Sequence, residues 1–80
     1  LFTQQRRASQ LDPLTDRERD VLRLLAEGRS NAGISQVLHL SAKTVEAHVA
    51  SVFTKLGLSA APNDNRRVLA VLAWLRANSD

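Results

Sequence analysis

Residues 30–57 read SNAGISQVLHLSAKTVEAHVASVFTKLG, and the periodicity of this stretch decides the fold. Ser30 is placed to cap a helix whose short apolar face is Ile34, Val37 and Leu38. At about two turns, that helix is too short to be stable alone and must lean on a neighbour. His39-Leu40-Ser41 breaks the pattern. Ser41 then caps a longer helix, 41–56, with Thr44 at its third helical position. Val45, Val49, Val52, Phe53 and Leu56 recur at i, i+4, i+7, i+8 and i+11, a sustained apolar stripe that Gly57 stops. The turn between the two helices lacks glycine, so His39 is expected in the left-handed conformation, which histidine tolerates better than most residues. The opposite face of the longer helix carries Lys43, Glu46, Ala47, Ala50 and Thr54, small or short side chains for the most part.

Working outward, Thr15-Asp16-Arg17-Glu18 fits a capping box, in which the threonine hydroxyl and the glutamate each satisfy a free N–H of the first turn. Val21, Leu22 and Leu25 follow Glu18 at i+3, i+4 and i+7 as one stripe, and Gly28 is the expected left-handed stop. On the other side, Ser59–Asn65 (SAAPNDN) reads as a loop, and Asp64 or Asn63 as the cap of a fourth helix, 64–77. That helix carries Val68, Leu69, Val71, Leu72, Trp74 and Leu75, more apolar surface than the core of so small a domain can cover. Residues 1–11, with Arg6 and Arg7, show no periodicity and read as a tail in which phosphate contact by the two arginines is the less favoured role. The domain proper is expected over 12–80. Four helices and no strand pattern predict an all-α, compact four-helix fold.

Eighty residues make one domain, which buries about 60% of the surface its unfolded chain exposes. Hydrophobic residues at 44% and charged residues at 24% fit an ordinary globular domain rather than a disordered tail. The absence of cysteine excludes disulfides, thiolate metal sites and a cysteine nucleophile. His39 and His48 stand nine apart with no carboxylate at ligand spacing, so neither a metal nor any other cofactor is expected. No glycine-rich phosphate loop or nucleophile–base spacing suggests an enzyme. The longest apolar run, Val68–Leu75, is far short of the roughly 20 residues of a membrane span. The chain opens on Leu1 without a signal pattern, which leads us to expect a piece of a longer, cytoplasmic protein. The net charge of +3 discriminates little, but only Glu46 is acidic between Ser30 and Asn63, so the middle of the chain offers little repulsion to phosphate.

A short helix and a long one joined by a tight turn form a helix-turn-helix, here over 31–50. The geometry has a physical rationale for entering a major groove about 12 Å wide, where small residues such as Ala47 and Ala50 allow close approach. Lys43, Thr44 and the N–H groups at the start of the long helix suit phosphate. The same pattern also occurs in protein-binding bundles, so a small interaction module docking a partner through its apolar fourth helix is the alternative. Glu46 reads either as a base reader or as a solvated carboxylate. Lys55 reads either as a phosphate contact or as a cap on the helix dipole. Trp74 reads as core cover or, less simply, as an anchor of an interface. His48 reads as a packed or phosphate-facing residue.

Three segments together are more specific. Leu14-Thr15-Asp16-Arg17-Glu18, Ala26-Glu27-Gly28-Arg29-Ser30-Asn31, and Thr44-Val45-Glu46-Ala47-His48-Val49 running to Lys55-Leu56-Gly57 closely resemble the DNA-binding domain of LuxR/FixJ/NarL-type bacterial transcription regulators. The resemblance covers Leu14–Leu58. It implies binding of double-stranded DNA, with base-edge contacts at Glu46, Ala47 and Ala50 and phosphate contacts at Asn31, Lys43, Thr44 and Lys55. It also implies a homodimer through the fourth helix, at Val68, Leu69, Leu72 and Leu75. A two-component response regulator is implied too, with an N-terminal receiver or a ligand-sensing domain in the full-length protein. The chain departs from the pattern at Glu46 and Ala50, where lysine is frequent, and in a longer loop before the fourth helix. The first departure leaves base reading to Glu46, accepting from cytosine N4, and to alanine against a thymine methyl. The second bears on dimer geometry and half-site spacing.

Overall fold

A computed structural model describes residues 10–58 and 61–79, with Asn63 and Asp64 as backbone only. The order is α1 (Asp16–Ala26), α2 (Asn31–Leu38), α3 (Ala42–Lys55) and α4 (Asn63–Asn78), with no strand among the described residues. The all-α, four-helix expectation therefore holds.

Each of the first three helices starts where its local chemistry puts it. Thr15 accepts from the Glu18 amide while the Glu18 carboxylate accepts from the Thr15 amide, the complete capping box. Ser30 accepts from Gly33 N–H, and Ser41 from Thr44 N–H. The ends are equally local. After α3 the Leu58 amide donates to Phe53 O at 2.8 Å and the Gly57 amide to Thr54 O at 3.0 Å, a Schellman closure that needs the positive φ of Gly57, 76°. After α2 the same turn is made with His39 at φ 57° and ψ 44°. There the Leu40 amide donates to Ser35 O at 3.1 Å, and the Ser35 hydroxyl bonds the Leu40 carbonyl in return. Histidine thus does glycine's work in the turn, as the sequence predicts.

The core is built around α1, which packs against α3 on one side and α4 on the other. Val21, Leu22, Leu24 and Leu25 of α1 meet Ile34 of α2 and Val45, Val49, Val52 and Phe53 of α3. Leu24 falls outside the single stripe read from the sequence. It is buried because α1 is covered from two directions rather than one.

Three expectations need correction. Leu11, read as the last residue of the tail, belongs to the core: it is buried, and the Arg19 guanidinium holds its carbonyl at 3.2 Å. The rest of that tail, residues 1–9, with Arg6 and Arg7, lies outside the described residues. Val37 does not join Ile34 in the α2 face and is 42% exposed. The covered side of α2 is Ile34 with the half-buried Asn31, Ser35 and Leu38, the side on which α3 and α1 come to rest, and the Ser35 hydroxyl bonds the Leu40 carbonyl there. Finally, neither Asn63 nor Asp64 is the cap residue of α4. Pro62 takes that place, without a side-chain cap bond, and its carbonyl accepts the first helical bond from Arg66 at 2.9 Å. Its ring fixes φ at −57°, already suited to helix entry, so the helix starts earlier than the polar cluster suggests. The loop is correspondingly shorter than 59–65, and its Ser59 and Ala60 lie outside the described residues.

The fourth helix inverts the usual division of labour. Its buried side is Ala70 and Ala73, with Trp74 packed partly over the core, as core cover requires. The small alanines let the backbone of α4 approach α1 closely. Val68, Leu69, Leu72 and Leu75 lie on the opposite side and are exposed, Val68 by 59% and Leu75 by 53%. No helix among the described residues is long and apolar enough to cross a membrane.

Candidate nucleic-acid interface

The two sides of α3 separate cleanly. Val45, Val49, Val52 and Phe53 are buried, whereas Lys43, Thr44, Glu46, Ala47, Ala50 and Thr54 are exposed. His48 is half-buried at the boundary. The exposed strip is low because its centre is two alanines, so a ligand can approach the helix backbone there. At its upper end Ser41 bonds both the Thr44 amide and the Thr44 hydroxyl. The first N–H groups of the helix lack intrahelical acceptors, and Lys43, in the same first turn, is exposed.

The lower end of α3 is tied to α1 by a cluster that the sequence reading did not assemble. Glu18 is 5% exposed, yet its carboxylate is fully engaged. Lys55 Nζ donates to Oε1 at 2.8 Å, Ser51 Oγ donates to Oε2 at 2.5 Å, and the Thr15 amide donates to Oε1 at 2.8 Å. Burial alone would push this carboxyl up, but the bonds from Lys55, Ser51 and Thr15 and the lysine charge outweigh it. The pKa is held at about 2, down from 4.5. Lys55 therefore has one of its three N–H donors committed to Glu18 rather than to the helix end. One signal was present in the sequence: Glu18 stands in register with Val21, Leu22 and Leu25, an acid on an apolar stripe.

A second feature borders the exposed strip. A groove runs between α3 and the start of α4, lined by Asn31, Glu46, Ala50, Phe53, Thr54 and Arg66. The Arg66 guanidinium lies 5.3 Å from the Phe53 ring centre, a cation–π contact between two of the lining residues. Beside it, Arg67 donates from Nη1 to Asn31 Oδ1 at 3.2 Å and from Nη2 to the Arg29 carbonyl at 3.1 Å. The structure thus gathers Asn31, Lys43, Thr44, Glu46, Ala47 and Ala50 along one side of the helix-turn-helix, with Lys55 at its lower end. Arg66 and Arg67, which the sequence reading passed over, are brought to its edge. The register of Arg66 with Ala70 and Ala73, and of Arg67 with Ala70 and Trp74, was the available signal.

Among the described residues no cluster of three or more histidines, cysteines or acids is grouped to hold a metal ion. The surface is suited to a long anion with a chemically patterned groove: cations and amide donors at the margins, and between them a low ridge of alanines that carries Glu46.

Comparison with known proteins agrees with this geometry. Residues 12–73 match the family described as bacterial regulatory proteins, luxR family. The chain is 56% identical over 46 residues to the Fimbriae Z protein of Salmonella typhimurium, covering 58% of this chain and 22% of that protein. It is 46% identical over 48 residues to the transcriptional regulatory protein MctR of Rhizobium johnstonii, covering 60% and 22%. It is 45% identical over 58 residues to the oxygen regulatory protein NreC of Staphylococcus aureus, covering 69% and 27%. The matched segment thus corresponds to about a quarter of the length of these relatives. No solved structure matches it significantly. With the family matched over most of its length and the helix-turn-helix formed, this chain belongs to the luxR family of bacterial regulatory proteins.

Proposed function

We propose that this chain is the sequence-specific, double-stranded-DNA-binding effector domain of a bacterial transcription regulator of the two-component type, with α3 in the major groove. Glu46, Ala47 and Ala50 meet base edges. Asn31, Lys43, Thr44 and Lys55 meet phosphates, Lys55 through the donors that Glu18 leaves free. The observation that carries the reading is the division of α3, with its valines buried and its alanines and Lys43 outside. Two copies join through Val68, Leu69, Leu72 and Leu75 of α4, whose exposure supports such a pairing. The relatives are regulators about four times as long as the matched segment, which leaves room for an N-terminal receiver or ligand-sensing domain. The place of action is the bacterial cytoplasm, where the chromosome lies.

The test is binding to duplex DNA across a salt series. Log affinity falls linearly with log salt, with a slope of about −0.9 per phosphate neutralised. Lys43→Ala weakens binding on all sequences alike and makes the slope shallower by about 0.9. Glu46→Ala changes which base is preferred rather than the slope. An absence of salt-sensitive DNA binding, with α4 instead capturing a protein partner, would favour the interaction-module reading.

A further inference from the structure

We infer that Arg67, on the first turns of α4, is a positioning residue for DNA binding: its guanidinium sets the Asn31 side chain so that the amide NH2 faces outward to a backbone phosphate. The inference rests on the DNA-binding reading and adds to it a residue from outside the helix-turn-helix.

The argument is one of donor and acceptor chemistry. An asparagine amide has two ends, an acceptor oxygen and a donor nitrogen, which differ little in shape. A guanidinium can only donate. The Asn31 atom that faces Arg67 Nη1 at 3.2 Å must therefore be the oxygen, and the NH2 is turned the other way. Among the described residues none accepts from that NH2. Arg67 itself is held by its second contact, Nη2 to the Arg29 carbonyl at 3.1 Å. The two contacts use the fixed fork of one planar group, so the arginine cannot swing away from Asn31 without breaking both. Without it, the amide is free to flip and to present its oxygen, which repels phosphate.

The charge arrangement points the same way. Asn31 is the first residue of α2, which has no acid in its first turn. An end without an acid leaves its N–H groups to an outside anion. The helix end and the oriented NH2 gain from one phosphate, while Arg67, with both of its terminal nitrogens engaged within the protein, acts through Asn31.

The experiment is a double-mutant cycle on the 80-residue chain with a 30-base-pair mixed-sequence duplex, read by anisotropy from low to moderate salt. A phosphate contact does not depend on sequence, so this probe suffices. Arg67→Met and Asn31→Ala each weaken binding several-fold, and the double variant is no weaker than the poorer single one. Arg67→Lys, which keeps the charge but cannot fork, also loses most of the effect, with an unchanged thermal midpoint showing that the fold is intact. If Arg67→Met proves unstable, Arg67→Lys replaces it in the cycle. The inference is overturned if the two single effects multiply, or if Arg67→Lys binds as the parent does. Those results, with salt-dependent binding by the parent chain retained, remove the role of Arg67 alone. Loss of salt-dependent binding in the parent chain removes the functional reading itself.

Discussion

Glu18→Gln isolates the charge of a buried carboxylate from its shape. Glutamine serves in a capping box as glutamate does, so the bond from the Thr15 amide survives. What is lost is the anion opposite Lys55 and an acceptor for the Ser51 hydroxyl. The size follows from the pKa. Lowering the carboxyl from 4.5 to about 2 corresponds to about 3 kcal/mol of folding free energy at neutral pH. Because the folded-state pKa is the depressed one, that stability is present in full above the unfolded value and disappears as pH falls through the folded one. By pH 3 about 2 of the 3 kcal/mol are gone. Part of the loss is recovered in the variant, because the Lys55 side chain is one-third exposed and water can take over from the carboxylate. The variant is expected to be about 2 kcal/mol less stable than the parent at pH 7, with the gap closing to under about 1 kcal/mol at pH 3. Urea unfolding followed by the fluorescence of Trp74, the single tryptophan, measures both. A gap that stayed constant from pH 7 to pH 3 would refute the reasoning, since it would make the effect one of shape and not of charge.

Three further outcomes follow from the packing. His39→Gly removes the strain of a left-handed L-residue, roughly 1–2 kcal/mol, against a glycine entropy cost of about 0.5–1 kcal/mol. A net gain of about 0.5–1 kcal/mol in thermal unfolding is expected, and a loss would show that the imidazole is held by contacts of its own. Ala70→Leu forces α4 away from α1 and costs about 1–3 kcal/mol, with Trp74 becoming more accessible to quencher; an unchanged stability would mean the two helices are loosely apposed. Leu72→Glu sits on the exposed side of α4, so it leaves the unfolding midpoint within about 0.5 kcal/mol of the parent while abolishing paired occupancy on DNA. Sedimentation of an undiminished two-to-one complex would count against α4 as the joining surface.

What could be read from the sequence is governed by near neighbours. The Thr15–Glu18 box, the Ser30 and Ser41 caps, the left-handed His39 and the glycine stop at Gly57 each involve residues within five positions of one another. Their chemistry is complete before any helix meets another. The stripe of Val45, Val49, Val52, Phe53 and Leu56 is of the same kind: periodicity alone says which side of α3 is wet. The resemblance over Leu14–Leu58 draws on those same local signals, which is why the helix-turn-helix and its exposed strip could be placed in advance.

Apart from the start of α4, which Pro62 sets locally, the misreadings and omissions share a different property. Glu18 meets Ser51 and Lys55 across 33 and 37 positions, and Arg67 meets Asn31 across 36. Val37 turns outward and Leu11 inward because of where neighbouring segments come to rest. On α4 the excess of apolar surface was legible, but leucines and alanines both recur at helical spacing, so periodicity did not say that the alanines form the buried side. Close packing against α1 buries Ala70 and Ala73 instead and leaves Val68, Leu69, Leu72 and Leu75 to the solvent. A side chain's partner within one turn is set by the chain's own bonds. A partner thirty residues away is chosen by the fit of whole helices, and that fit exists only once all four are in place.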